Sequence, residues 1–84
     1  MNAVVRAKFR VNLVSPYVDA KGQPTGSRID LAPVYDSNKD SENAKFFNMT
    51  PWGQITLATV SPAAAEHFKP GDEFYVDFTK APAA

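Results

Sequence analysis

The chain contains no cysteine among its 84 residues. This absence excludes a disulfide framework, a thiolate metal site and a cysteine nucleophile. The sequence also has no apolar run long enough to span a bilayer, and its amino terminus does not have the pattern of a signal peptide. We therefore expect a soluble, intracellular protein without membrane association.

Sequence motifs of catalysis are missing as well. There is no phosphate-binding glycine motif, no nucleophile elbow and no metalloprotease motif. The one histidine, His67, adjoins Glu66, and neighbouring helical residues point about 100° apart, so they do not converge on one metal. Asp36, Asp40 and Glu42 lack the spacing of a calcium loop. We expect no enzymatic activity, no catalytic or metal-binding residues and no cofactor.

The composition suits one small globular domain over residues 1–84. Apolar residues make up 44% of the chain, which is enough for a core. The net charge is zero but unevenly distributed. Residues 1–28 carry five cations against Asp19, whereas residues 29–84 carry four lysines against eight acids. The first third is thus positive by four charges and the remainder negative by four.

Alternating apolar and polar residues predict four strands. The first has one apolar face, formed by Val5, Ala7, Phe9, Val11 and Leu13. The predicted strands cover Val4–Val14, Arg28–Tyr35, Gln54–Val60 and the run that begins at Asp72. Residues 15–27 have the composition of a polar connection, and Pro33 predicts that the second strand lies at a sheet edge or is bulged there.

Two helices are expected between these strands. Ser61 and Pro62 are good residues for the cap and first position of a helix that Pro70 and Gly71 would end. A shorter helix is expected near residues 41–48. The predicted fold class is α+β: a small β-rich domain with an antiparallel sheet of about four strands and one helix before the last strand. The oligonucleotide-binding barrel has a similar helix but needs five strands.

Arg6, Lys8 and Arg10 form a cationic stripe on the first strand, and two interpretations compete for it. The stripe could follow a phosphate backbone, with stacking platforms supplied by Phe46, Phe47, Trp52 and Tyr75. Alternatively, Glu73 and Asp77 alternate outward on the last strand and would pair with the stripe if the first and last strands are neighbours. We favour structural pairing, because it also explains the uneven charge.

The segment from Phe46 to Gly53 is unusually apolar for a turn-rich region. Some of its side chains must cover the sheet, but a short helix and a turn cannot bury all of them. Aromatic residues and methionine are enriched in protein interfaces. We therefore expect Trp52, with Phe47 and Met49 beside it, to contact a partner.

Three parts of the chain carry a resemblance to a known group of proteins. They are the start Val5–Val11, the middle segments Ser41–Asn43, Phe46–Phe47 and Thr50–Gly53, and the end segments Ala64–Ala65, Phe68, Pro70–Gly71 and Tyr75–Thr79. In these segments the chain resembles short proteins encoded by tailed bacteriophages. The resemblance implies a viral gene whose product acts in a bacterial cytoplasm or is built into a particle, and it assigns no functional residue.

Together these features predict a small phage-encoded protein that acts by binding. Its expected partner is a phage or host protein, or a small signalling nucleotide, in the cytoplasm of the bacterial host. Two alternatives stay open: a minor structural component of the virion, and a module that binds single-stranded nucleic acid. Balanced charge disfavours nucleic acid. Because so small a domain often gains stability by association, we also expect a homo-oligomer.

Overall fold

Four strands form one antiparallel sheet in the computed structural model, which describes residues 5–83. In chain order the elements are β1 (Val5–Val18), β2 (Pro24–Pro33), α1 (Glu42–Met49), β3 (Ile55–Val60), α2 (Pro62–Ala65) and β4 (Glu73–Phe78). The strands lie in the order β3-β2-β1-β4. The predicted small β-rich domain with a four-stranded antiparallel sheet is therefore confirmed.

β1 supplies much of the core and contains a β-bulge. Ala7, Phe9 and Val11 are buried, as their alternation predicts. The register with β2 then shifts between Val11 and Leu13, and an extra residue in one strand exchanges the two faces for the side chains that follow. Leu13 is consequently 46% exposed, so its predicted place on the core face is wrong, and Val14 packs against the core instead.

β1 and β2 form a long hairpin where the sequence predicted a polar connection over residues 15–27. That prediction is wrong, because β1 continues to Val18 and β2 already begins at Pro24. A single side chain organises the short turn: the Asp19 carboxylate accepts the N–H groups of Lys21 and Gln23 at 2.8 and 2.9 Å. The glycine, proline and polar residues of 15–27 therefore correctly indicate a turn, but the turn itself covers only the residues between Val18 and Pro24.

Pro16 and Pro33 lie where a missing N–H is tolerated. β4 pairs with residues 5–10 of β1, so Pro16 has β2 on one side and no described strand on the other. Pro33 is the last residue of β2, which lies inside the sheet between β3 and β1. The prediction that Pro33 marks a sheet edge or a bulge is therefore wrong. Because Pro33 ends the strand, its missing N–H does not interrupt the ladder: the next hydrogen bond to β1 comes from Val34, whose N–H donates to the Lys8 carbonyl at 3.1 Å.

The two helices are short and begin at serine caps. Ser41 Oγ accepts the Ala44 N–H at 3.1 Å, and Ser61 Oγ accepts the Ala64 N–H at 3.3 Å. α2 is a single turn that ends at Ala65, well before the residues Pro70 and Gly71 at which the sequence placed its end. The chain then runs through turns into β4.

The core lies on one face of the sheet. Its buried side chains are Ala7, Phe9, Val11, Ile29 and Leu31 from the strands and Ala65 from α2. Because α2 is only one turn long, it covers a small part of this face. Phe68, which follows α2, packs on Phe74 with ring centroids 5.1 Å apart.

The domain is thin and extended for its size. Its radius of gyration is 15.3 Å, whereas a compact domain of this length has about 12 Å. Its shortest dimension is 18 Å. The accessible surface is 6229 Å², whereas a folded monomer of 9.2 kDa exposes about 4,900 Å². The chain alone thus leaves roughly 1,300 Å² more surface in water than a compact monomer would.

Candidate binding surfaces

The cationic stripe is paired with acids across the β1–β4 ladder. Arg6 lies opposite Asp77 and Arg10 opposite Glu73. The Arg6 guanidinium donates two hydrogen bonds to the Asp77 carboxylate at 2.7 and 2.9 Å, and Arg10 donates to Glu73 at 2.6 and 3.1 Å. The predicted adjacency of the first and last strands is therefore confirmed, and it explains why the two parts of the chain carry opposite charge.

Glu73 joins the strand pair to α1. Besides the hydrogen bonds from Arg10, the Glu73 carboxylate accepts hydrogen bonds from Asn43 Nδ2, which lies 3.1 Å from each carboxylate oxygen. Lys8 Nζ lies 3.7 Å from Glu73 Oε1. The Arg10 hydrogen bond, the Asn43 hydrogen bond and the nearby cations hold the pKa of Glu73 below its usual value, although partial burial opposes them. Glu73 is thus an anion fixed among donors, with its charge already compensated.

Tyr75 is 51% exposed and has charged and aromatic neighbours on the same face. Its hydroxyl donates to the Glu42 carboxylate, which raises the Tyr75 pKa, so the phenol stays protonated at neutral pH. The Arg6 guanidinium lies 5.0 Å and Lys8 Nζ 5.5 Å from the ring centroid. The ring of Phe46 is 5.9 Å away. Tyr75 therefore already has cationic and aromatic partners that would compete with a stacked base.

These contacts favour the structural interpretation of the stripe. Lys8, whose side chain is only 14% exposed, lies 3.7 Å from both Glu42 and Glu73. Arg6 and Arg10 each have a carboxylate within hydrogen-bonding distance. A nucleic acid would have to replace these acids, which already pair with Arg6, Lys8 and Arg10.

The aromatic turn divides into packed and exposed residues. Phe46 meets Tyr75, and Phe47 packs edge-on against Tyr35 with centroids 5.0 Å apart. Met49, the last residue of α1, is 68% exposed, and Trp52 is 90% exposed. Of the three residues predicted to contact a partner, Phe47 is partly used within the domain, whereas Met49 and Trp52 are left in solvent.

An apolar groove on the core face was not foreseen from the sequence. It has a volume of about 370 Å³ and is lined by the apolar residues Leu31, Ile55, Leu57, Phe68, Phe74 and Val76, and also by Tyr75 and Asp77 of β4. β3 and β4 are the two outer strands of the sheet, so the sheet must curl for both to line one groove. Alternation in β3 and β4 predicts the apolar faces, but the curl that brings them together has no signal in the sequence.

A second, smaller cavity lies between α1 and the loop that precedes it. Its volume is about 210 Å³, and Tyr35, Asp36, Lys39 and Phe47 are among its lining residues. Ligand sites usually measure roughly 300–1,000 Å³. The Asp36 carboxylate accepts the Asn38 N–H, which lowers the Asp36 pKa and keeps it anionic. Neither this cavity nor the groove offers the cluster of cations that a nucleotide phosphate requires.

Residues 5–83 contain neither a candidate metal site nor a membrane-spanning helix. No group of three or more histidine or acidic side chains is placed to hold a metal ion in this part of the chain. Within the same range, no helix is long and apolar enough to cross a membrane.

Comparison with known proteins gives no relative. No protein-family model, curated protein or solved structure matches the chain.

Proposed function

We propose that this protein acts by binding another protein through the surface formed by Trp52 and Met49, without chemistry of its own. The observation that carries this proposal is the 90% exposure of Trp52, the chain's single tryptophan. Tryptophan is among the residues most enriched at the energetic centres of protein interfaces. Methionine is adaptable and also enriched there.

The free energy available from burying Trp52 is large for so small a domain. Burying a tryptophan removes about 150–250 Å² from water, which at about 25 cal/mol per Å² amounts to roughly 4–6 kcal/mol. The free domain gains almost none of this from Trp52. A partner with an apolar pocket would gain it on binding, which supports an interface role for this side chain.

The resemblance to phage proteins suggests where the partner is found. We propose a phage or host protein in the cytoplasm of an infected bacterium, with a minor structural place in the virion as the alternative. Mass spectrometry of purified particles separates the two, because a structural component gives abundant peptides there and a cytoplasmic factor does not. Nucleic acid and signalling nucleotides are less favoured, since the cations of β1 are paired and neither cavity gathers several cations.

Substitution of Trp52 tests the binding surface. Tagged wild-type protein and the Trp52→Ala variant are used to capture partners from infected cells, and the captured protein is then purified and titrated directly. We expect affinity for that protein to fall about tenfold or more, while the urea midpoint changes little because Trp52 adds little to the core. Tyr17→Ala, which removes a more shielded aromatic side chain in β1, is the matched control and should bind as wild type.

Two results would contradict the proposal. One is unchanged affinity of Trp52→Ala for every captured protein. The other is loss of folding in Trp52→Ala, which would place the indole in the core.

A further inference from the structure

We propose that the apolar face of the sheet packs against the same face of a second copy of this chain, about a two-fold axis, to form a two-layered sandwich. The contact is centred on the groove that β3 and β4 line. It joins the faces of two sheets, so the hydrogen bonds within each sheet are unchanged. Because a two-fold axis brings identical patches together, one apolar face serves both copies.

The apolar face extends beyond the groove to both outer strands. Val5 alternates with the buried Ala7 on β1, and Phe78 lies directly opposite Val5 on β4. Leu57 on β3 lies opposite the buried Ile29. Directly opposite residues of an antiparallel pair share one face of the sheet. Val5 and Phe78 are exposed and Leu57 is 40% exposed, so apolar side chains of this face meet water on β1, β3 and β4.

The helices of the chain cover little of this face. α2, which packs on it, is a single turn. α1 meets the opposite face instead, where Asn43 donates to Glu73 and Glu42 accepts the Tyr75 hydroxyl. An apolar sheet face is normally buried by a second layer of structure. We therefore expect another molecule to supply most of that layer.

Charge and surface area favour a second copy as this molecule. Asp77 borders the groove, but its carboxylate is bound by Arg6 on the opposite face, and the zero net charge of the chain gives no overall repulsion between copies. The chain exposes 6229 Å², roughly 1,300 Å² more than a compact monomer of its mass. A standard stable interface buries about 800 Å² on each partner. The excess surface is therefore sufficient for a stable dimer.

The dimer contact does not depend on the surface of the proposed function. Neither Trp52 nor Met49 is among the residues that line the groove. Trp52→Ala should therefore remain dimeric while its affinity for the partner protein falls. A monomeric Trp52→Ala variant would place the contact between copies at the partner surface and overturn the proposal.

The first test is the mass of the protein in solution. Sedimentation equilibrium of the wild type should give a dimer. Leu57→Lys and Phe78→Lys, which place a charge on the face at its two outer strands, should each raise the dissociation constant about tenfold or more. Leu13→Lys is the matched control and should remain dimeric, since Leu13 has similar exposure but is turned to the opposite face by the bulge.

Three outcomes of this experiment would contradict the proposal. One is a wild-type monomer up to millimolar concentration, including one that binds the apolar dye anilinonaphthalene sulfonate at saturable stoichiometry, which would make the groove a ligand site. Another is weakening by Leu57→Lys alone, which would confine the contact to β3. The third is equal weakening by Leu13→Lys.

A second test uses the wild-type protein and so does not depend on the folding of a variant. Isotope-labelled and unlabelled copies are mixed, and nuclear Overhauser effects are recorded only between different copies. We expect such effects between the methyl groups of Ile55, Leu57 and Val76 and aromatic protons of the other copy, with none at the Leu13 methyl groups. A dimer that lacks these effects would be formed through another surface, which would refute the sandwich.

Discussion

At the scale of single residues, Glu73 links charged and polar side chains of β1 and α1 on the polar face of the sheet. It accepts hydrogen bonds from Arg10 on β1 and from Asn43 on α1, and it lies near Lys8. Most surface ion pairs contribute little because both side chains stay mobile and hydrated. Glu73 differs because donors from two elements, Arg10 and Asn43, fix one carboxylate beside the Lys8 ammonium, and the pairing therefore also positions α1 on the sheet.

Low pH should lower the stability of the fold, because it protonates Glu73. Folding lowers the pKa of Glu73 through Arg10 and that of Asp77 through Arg6. A carboxyl whose pKa is lowered by folding contributes stability that is complete above its unfolded value, near 4, and is lost as the pH falls through the folded value. We expect Glu73→Gln to lose about 1 kcal/mol at neutral pH and to show a shallower decline below about pH 4.

Urea unfolding at a series of pH values checks this expectation. Glu66→Gln, which changes an exposed acid at the end of α2, should follow the wild-type curve. If the Glu73→Gln curve ran parallel to wild type from neutral pH down to about pH 3, the carboxylate would not be a source of the acid sensitivity.

Some of these residue contacts could be predicted and others could not. Pairing of the cationic stripe with Glu73 and Asp77 was predicted, because period-two alternation places these residues on the polar face, but which cation lies opposite which acid was not. Asn43 and Glu42 were not, since they reach the same face from α1. Where a helix packs depends on contacts distant in sequence, and no local pattern near Asn43 indicates a carboxylate thirty residues away.

At the scale of elements, the predictions from sequence were wrong mainly in the β1–β2 hairpin. The alternation of β1 was followed correctly as far as Val11, but the shift after it turns Leu13 outward. A bulge adds one residue without a distinctive composition, so periodicity alone does not locate it. Residues 15–27 were predicted as a loop from their glycine and proline content. Strand pairing overrides the turn preference of these residues, because Ser15 and Pro16 lie opposite Arg28 and Ser27 of β2.

The turn into β4 depends on a glycine, and its substitution gives a further prediction. Gly71 has φ of 94°, in the left-handed region, and its N–H donates to the Val11 carbonyl at 2.8 Å. A Cβ there would meet no atom within 4 Å, so the penalty of a larger residue is conformational rather than steric. We expect Gly71→Ala to lower the free energy of unfolding by about 1–2 kcal/mol.

Gly53 offers the matched control for thermal or urea unfolding. A Cβ at Gly53 would lie 3.7 Å from Phe9 Cζ, an ordinary contact, and Gly53 is not among the glycines with positive φ. Gly53→Ala should therefore be neutral or stabilise by a few tenths of a kcal/mol. Equal losses in both variants would show that the conformation at Gly71 is not the cause.

At the scale of the whole molecule, two of the apolar surfaces within residues 5–83 bear on function. One is the exposed pair Met49 and Trp52, and the other is the apolar groove that β3 and β4 line. The first could be predicted, because a short turn cannot bury so many apolar side chains. The groove could not, since it requires β3 and β4 to approach across a curled sheet, and curl is a property of the assembled strands.

Charge balance across the molecule gives the last prediction, which concerns nucleic acid. Binding to a phosphate backbone depends on cations that can release counterions, and it weakens steeply with salt. Arg6 and Arg10 are each bound by a carboxylate, and the whole chain has no net charge. We therefore expect no salt-sensitive binding of single-stranded DNA or RNA near physiological ionic strength, measured by fluorescence anisotropy. Replacing both acids by Glu73→Gln and Asp77→Asn frees these arginines and removes two negative charges, so this variant should gain weak, salt-sensitive binding. Sub-micromolar binding by the wild type that falls with salt would contradict this account and restore the nucleic-acid interpretation of the stripe.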